Sequence, residues 1–183
     1  MNGQRLEIFS LVIAVLSAAT SVFFSIRARR DVKIQRRMEI IALKRQYYSA
    51  LQKWADDVVD TMTETIFLCL LQDKLGNGDF FTKRHSARAK LSALIDRGRW
   101  FIPNELLDQY GKDKPKAFRG FRPPALNYIV NYYDILKKIG DNSYEANRPL
   151  RETLWTTRKQ FVSEIQDILD PREREKETRD LMS

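Results

Sequence analysis

The chain has 183 residues, with 32 Lys+Arg against 24 Asp+Glu and a formal charge of +8. That length suits one domain with an extension. The 43% hydrophobic content suffices for a core, and seven Gly and six Pro are too few for a collagen-like or Pro/Gly-rich disordered chain. One Cys and one His exclude a disulfide framework, a four-cysteine zinc site and His-rich metal sites; no metal or cofactor is expected.

The charge is concentrated at the start. Residues 1–37 hold seven basic residues and two acids, net +5, so the other 146 residues carry +3. The basicity is local, which argues against nucleic acid as the partner.

The first element is the run Ile8–Ile26, IFSLVIAVLSAATSVFFSI, 19 residues without charge, Gly or Pro. As a helix it spans roughly 28 Å, close to the ~30 Å hydrocarbon thickness of a bilayer. It is read as a transmembrane helix. A signal peptide needs its positive charge before the apolar run, whereas here Arg27, Arg29, Arg30 and Lys33 follow it. Residues 27–45 hold eight basic residues against two acids, so the positive-inside rule places the N-terminus outside and the rest in the cytoplasm. That basic flank would also meet anionic headgroups. Small residues recur at helical spacing, Ser10, Ala14, Ala18 and Ser17, Ser21, Ser25, a weak sign of association with a second helix.

No Gly or Pro interrupts residues 4–75. Apolar side chains fall at Ile34, Met38, Ile41, Tyr48, Leu51, Ala55, Val58, Met62, Ile66 and Cys69, a helical stripe. One near-continuous helix is expected to end near Leu75, followed by a turn at Gly76-Asn77-Gly78. A second helix is expected over about 80–97, burying Ala87, Leu91, Leu94 and Ile95 and stopped by Gly98. A third, over about 123–139, starts with Pro123 and Pro124 and buries Leu126, Ile129, Val130, Tyr133 and Leu136. A fourth is capped by Asn147, buries Leu154, Phe161, Ile165 and Ile168, and is closed by Asp170-Pro171. The tail 171–183 alternates charges and is expected to be solvated. No segment shows strand-like alternation. The fold class is therefore all-α: a transmembrane anchor (1–30) continuing into a cytoplasmic antiparallel four-helix bundle (31–170).

Catalytic chemistry has little to work with. His85 sits in Lys83-Arg84-His85 with no GxSxG elbow in the chain, and reads as a surface residue. Cys69 lies on the apolar stripe and reads as core. The carboxylates Asp56, Asp57, Asp60 and Glu64 lack the ExxH partners of a di-metal bundle. No phosphate-binding glycine motif occurs, and no enzyme is expected.

The long connection 99–122 is the unusual stretch. It and its flanks carry Arg97, Arg99, Lys112, Lys114, Lys116, Arg119 and Arg122 among Trp100, Phe101, Tyr110, Phe118 and Phe121. Guanidinium groups beside aromatics can hold a phosphate, a nucleotide or a partner's carboxylate. They can equally pin the loop to the bundle through Asp96, Asp108 or the acidic face of the first helix. Arg97, Arg99, Trp100, Lys114, Arg119 and Arg122 are the candidate ligand- or partner-binding residues.

The pattern LSxLIDRGRxFxPN…YGxxKPxAxRGxR resembles that of uncharacterised bacterial proteins with one N-terminal transmembrane helix and a small helical cytoplasmic region. It is carried here by Asp96, Arg97, Gly98, Arg99, Pro103, Asn104, Tyr110, Gly111, Lys114, Pro115, Arg119, Gly120 and Arg122. The resemblance covers about residues 5–140. It implies this architecture and the bacterial inner membrane, and no catalytic residues to carry over. Two functional expectations follow. The first is a non-enzymatic, membrane-anchored component of an assembly, associating with itself or a protein partner. The second is a membrane-bound sensor that takes a phosphorylated small molecule or lipid headgroup in the loop 97–122, a role that would suit a stress or phage-defence effector.

Overall fold

The computed structural model describes residues 3–106, 110–140 and 144–182; the side chains of residues 3–15, 19, 177, 178 and 180–182 lie outside that description. Among the described residues the regular structure is helical: α1 (Gly3–Leu70), α2 (Asn77–Phe101), α3 (Pro124–Lys138), α4 (Arg148–Ile168) and α5 (Pro171–Met182), with short 3-10 turns at Gln72–Lys74 and Lys116–Phe118. The all-α expectation holds. The chain divides into two compact units, one of Gln46–Arg174 and one of Met1–Arg45 with Glu175–Ser183.

In the larger unit the later part of α1 packs with α2, α3 and α4 as a bundle. Three pairs fix the direction of α2 against α1: Glu64 with Lys90 at 3.5 Å, Trp54 Nε1 donating to the Leu94 carbonyl at 2.9 Å, and Tyr47 Oη donating to the Phe101 carbonyl at 2.8 Å. As α1 numbers fall, α2 numbers rise, so the two are antiparallel. On α3, Tyr132 Oη donates to the Met62 carbonyl at 2.6 Å, while Leu126 lies beside Gly98 and Trp54; α3 therefore runs parallel to α1. Phe161 of α4 meets Trp54 edge to face at 6.0 Å, and the start of α4 meets Gln72, so α4 runs back again. This is the up-down-up-down order that short connections favour.

The core is built from the expected faces. Leu51, Ala55, Val58, Met62, Ile66 and Cys69 of α1 are buried, as are Leu91 and Leu94, Leu126, Ile129 and Leu136, and Leu154, Phe161 and Ile165. Trp54, Phe80, Ala125 and Tyr132 join them off the expected stripes. Val130 and Tyr133 are only half-buried, and Ile168 is exposed.

Four local expectations are corrected. First, α2 begins at Asn77, because Gly76 serves as its N-cap in extended conformation. Second, Gly98 does not stop it: the Ile102 amide still donates to the Gly98 carbonyl at 2.8 Å, and the glycine is there for closeness to Trp54 and Leu126. Third, Asn147 holds the N-cap position of α4 without a side-chain capping bond. Its amide donates instead to Gln72 Oε1 at 3.0 Å and to the Gly140 carbonyl at 3.3 Å, and Gln72 Nε2 reaches the same carbonyl at 3.1 Å. This buried amide clasp ties the end of α1 to the α3–α4 connection. Fourth, the charged tail is helical as α5, with Arg179 paired to Glu175 one turn back at 3.3 Å.

In the smaller unit, Ile34 and Met38 are exposed although the apolar stripe includes them, while Ile41 is buried. Among the described residues no helix is long and apolar enough to cross a membrane. Residues 8–15 and Ala19 of the expected span have side chains outside that description. Within its described part Leu16, Val22, Phe23, Phe24 and Ile26 are exposed, and Thr20 Oγ1 donates to the Ser17 carbonyl at 2.9 Å, the self-satisfied arrangement such hydroxyls adopt in an apolar helix.

Candidate functional site

The connection between α2 and α3 is held by its backbone. Glu105 and Phe121 exchange both hydrogen bonds of an antiparallel bridge, at 2.9 and 2.8 Å. Gly120 takes φ +79° and donates to the Tyr110 carbonyl at 3.0 Å. A Cβ there would collide with the Glu105 carbonyl oxygen, so the bridge requires glycine. Gly111, at φ +71°, opens a turn closed by the Lys114 amide on its carbonyl at 2.9 Å. The segment of Leu107, Asp108 and Gln109 lies outside the described residues, and with it the expected pairing to Asp108 and part of the short turn around Glu105–Tyr110.

This scaffold and the adjoining helix ends enclose a concavity of about 520 Å³. Three cations line it: Arg99 from the last turn of α2, Lys114 from the loop, and Arg122 from just before α3. Arg99 Nη1 donates to Asn104 Oδ1 at 3.1 Å and to the Ala117 carbonyl at 3.4 Å, and its guanidinium lies 4.5 Å from the Phe118 ring centre. Asn104 in turn donates to the Arg119 carbonyl at 2.9 Å. Arg122 and Asn127 bond each other, Nη1 to Oδ1 at 3.2 Å and Nδ2 back to the Arg122 carbonyl at 3.1 Å. Tyr110 and Phe121 stack at 4.4 Å with planes 12° apart, and Lys114 Nζ stands 5.4 Å from the Tyr110 ring centre. Phe118, Phe121 and Tyr110 remain exposed.

The electrostatics are one-sided. Among the described residues that line it, none is acidic. The Arg99 side chain is only 9% exposed, and the carboxylate beside it is Asp96, 3.9 Å away and itself 65% exposed. Burial lowers the Arg99 pKa, the neighbouring Arg122 lowers it further, and Asp96 pulls the other way. The Nε atoms of Arg99 and Arg122 are both buried without a hydrogen-bond partner.

The structure thus brings together Arg99, Lys114 and Arg122 of the expected set. Arg119 spends its Nε on the Lys114 carbonyl at 2.8 Å, a bond within the loop. Arg97 is exposed, Trp100 is 76% exposed, and neither lines the concavity; lying two positions and one position from Arg99, they point about 200° and about 100° around α2 from the face it presents. Sequence reasoning named Asn104 only as part of a pattern and missed Asn127. A hint lay in the Arg-Pro-Pro-Ala-Leu-Asn spacing, which sets an amide one turn into a helix whose start the two prolines fix.

The other chemistry-bearing residues stand apart. Cys69 is buried, and burial pushes its thiol up to about 11. His85 stacks on Phe81 at 6.3 Å on the surface of α2. Asp56, Asp57, Asp60 and Glu64 are exposed. Arg27, Arg29, Arg30 and Lys33, the expected membrane flank, are exposed as well. Among the described residues no three His, Cys, Asp or Glu gather as a metal would require. Comparison with family models, curated proteins and solved structures gives no match for the chain.

Proposed function

We propose that this protein is a single-pass, non-enzymatic component of a membrane-associated assembly, with α1 as its anchor and the bundle as a cytoplasmic interaction module. The observation that carries the reading is the uncharged run Ile8–Ile26 inside α1, followed at once by Arg27, Arg29, Arg30 and Lys33. The apolar side chains described there are exposed rather than folded into a core, which is how a lipid-facing helix presents itself. The basic flank sets the inner side and would be held by anionic lipid at roughly 1 kcal/mol per cation.

The test is fractionation of bacterial cells expressing the full chain with a C-terminal tag. The chain is expected in the membrane pellet, released by detergent and not by alkaline carbonate, with the tag protected from protease until the inner membrane is opened. Mild-detergent extracts are expected to yield it as an oligomer or with a partner. Recovery in the soluble fraction, or digestion of the tag from outside, overturns the anchor. A lone monomer in mild detergent overturns the assembly role.

A further inference from the structure

We propose that the concavity between the α2–α3 connection and the end of α2 is a binding site for a phosphate monoester, with Arg99, Lys114 and Arg122 holding the phosphate. The inference is independent of the anchor, since every group it uses lies within the Gln46–Arg174 unit.

Three facts carry it. Arg99 and Arg122 line the same concavity, where the charge of Arg122 lowers the Arg99 pKa, and the carboxylate beside Arg99 is the solvent-exposed Asp96 at 3.9 Å. Two guanidinium groups lining one space, the side chain of one nine-tenths buried, ask for an anion there. Their Nε donors are buried and make no hydrogen bond, that of Arg99 standing 3.9 Å from Asp96 Oδ1. Buried Nε atoms also occur at Arg88 and Arg158, whose guanidiniums lie over Tyr133 and Trp155 as that of Arg99 lies over Phe118, so a ring contact alone does not mark the site. Arg99 and Arg122 instead share one open space of about 520 Å³, within the usual range of small-molecule sites, about 300–1,000 Å³.

The chemistry narrows the ligand. A carboxylate offers two oxygens and one charge, enough for one guanidinium. Three cations and two amides, Asn104 and Asn127, suit a group with three terminal oxygens and close to two charges, which is a phosphate monoester near neutral pH. The exposed faces of Tyr110, Phe118 and Phe121 beside it suit an attached ring or acyl chain. A soluble nucleotide and a lipid such as phosphatidic acid share this headgroup chemistry.

The experiment uses the full chain in detergent micelles and isothermal titration calorimetry. The probes are inorganic phosphate, AMP and the short-chain lipid dihexanoyl phosphatidic acid. Lys114→Gln and Arg122→Gln are expected to weaken binding by about tenfold or more, as loss of a charge-assisted partner does. The thermal melt of Lys114→Gln is expected to stay close to the parent, because its exposed ammonium contacts the Tyr110 ring, whereas Arg122→Gln also gives up the bond to Asn127 and its melt is read beside the binding data. Arg29→Gln with Arg30→Gln serves as a control and is expected to leave binding unchanged. Tightest binding of AMP supports the site and assigns it a soluble, ring-bearing ligand. Tightest binding of the short-chain lipid supports it and assigns a headgroup. If none of the probes binds, if Lys114→Gln and Arg122→Gln bind as the parent does, or if the Arg29/Arg30 control abolishes binding, the proposal is overturned. None of these outcomes bears on whether the chain fractionates with membranes.

Discussion

Gly98 of α2 lies so close to Trp54 of α1 that a Cβ at position 98 would stand 2.5 Å from the indole Cζ2, and equally close to Leu126 Cδ2 of α3. Three helices meet at that point, and the indole is further held by its bond to the Leu94 carbonyl at 2.9 Å. Leu126 can rotate away from an added methyl; the tethered indole cannot. Gly98→Ala is therefore expected to destabilise the bundle by about 1–2 kcal/mol, overpacking outweighing the ~1 kcal/mol that alanine gains in a helix. Chemical denaturation followed by far-ultraviolet circular dichroism measures it. A more stable variant would show that α1 and α2 can part at no cost.

Tyr132 is fully buried and its hydroxyl reaches the Met62 carbonyl at 2.6 Å. Tyr132→Phe keeps the ring and removes the bond. The expected loss is about 1 kcal/mol, with helix content unchanged, read from the denaturation midpoint. Tyr133→Phe removes the bond that Arg88 makes to the hydroxyl at 2.9 Å at a half-buried site and is expected to cost less.

The thiol of Cys69 gives a pH dependence with a definite sign. Its usual value of 9.0 is raised to about 11, burial being the main cause and Arg151 and Arg84 opposing it. Above pH 9 the unfolded chain loses the proton and the folded chain keeps it, so the unfolded state binds fewer protons and stability falls with pH. The contribution is intact below pH 9 and is lost as pH rises toward 11, a loss on the order of 2–3 kcal/mol. Tyr132, also raised by burial, acts in the same direction. Cys69→Ala is expected to flatten the alkaline slope in denaturation curves measured across that window. A thiol reagent is expected to react with Cys69 only at the rate of unfolding.

Gly120→Ala is expected to break the loop and spare the bundle. The substitution meets both a positive φ of +79° and the Glu105 carbonyl, so the Glu105–Phe121 bridge must open. Trypsin is expected to cut at Lys112 and Lys116 several times faster than in the parent, while the thermal midpoint moves little. Mass spectrometry of timed digests checks it. Unchanged cleavage would mean that the bridge does not hold the loop.

The helix faces were legible because burial repeats with the helical period, and Leu51 through Cys69 keep that period. What the period cannot convey is reach. Of the adjacent tyrosines, periodicity favours Tyr133 for the interior, yet Tyr132 takes it because only there does the hydroxyl find the Met62 carbonyl. Gly98 reads as a stop because glycine often follows a helix; the demand it meets comes from Trp54, 44 positions earlier in the chain. The same holds for Asn147, whose partners Gln72 and Gly140 lie on other elements. In the site, the basic-aromatic composition was legible, but which cations converge was not. Arg97 and Arg99 differ by two positions and so point to different sides of α2, and only contact with the folded loop decides between them. The Gly111 and Gly120 of the sequence pattern prove to be left-handed positions of that loop.

The two ends of the bundle are fastened by different chemistry. At one end the bonds among Gln72, Asn147 and Gly140 are amide to amide and involve no titrating group, so neither acidity nor ionic strength in the physiological range loosens them. At the other, the connection between α2 and α3 is held by the Arg99 contacts to Asn104, the Ala117 carbonyl and the Phe118 ring, which an arriving anion can redirect. Unzipping of this unit should therefore be directional, beginning where the arginines are, and an occupant of their space would act as a rivet at the mouth.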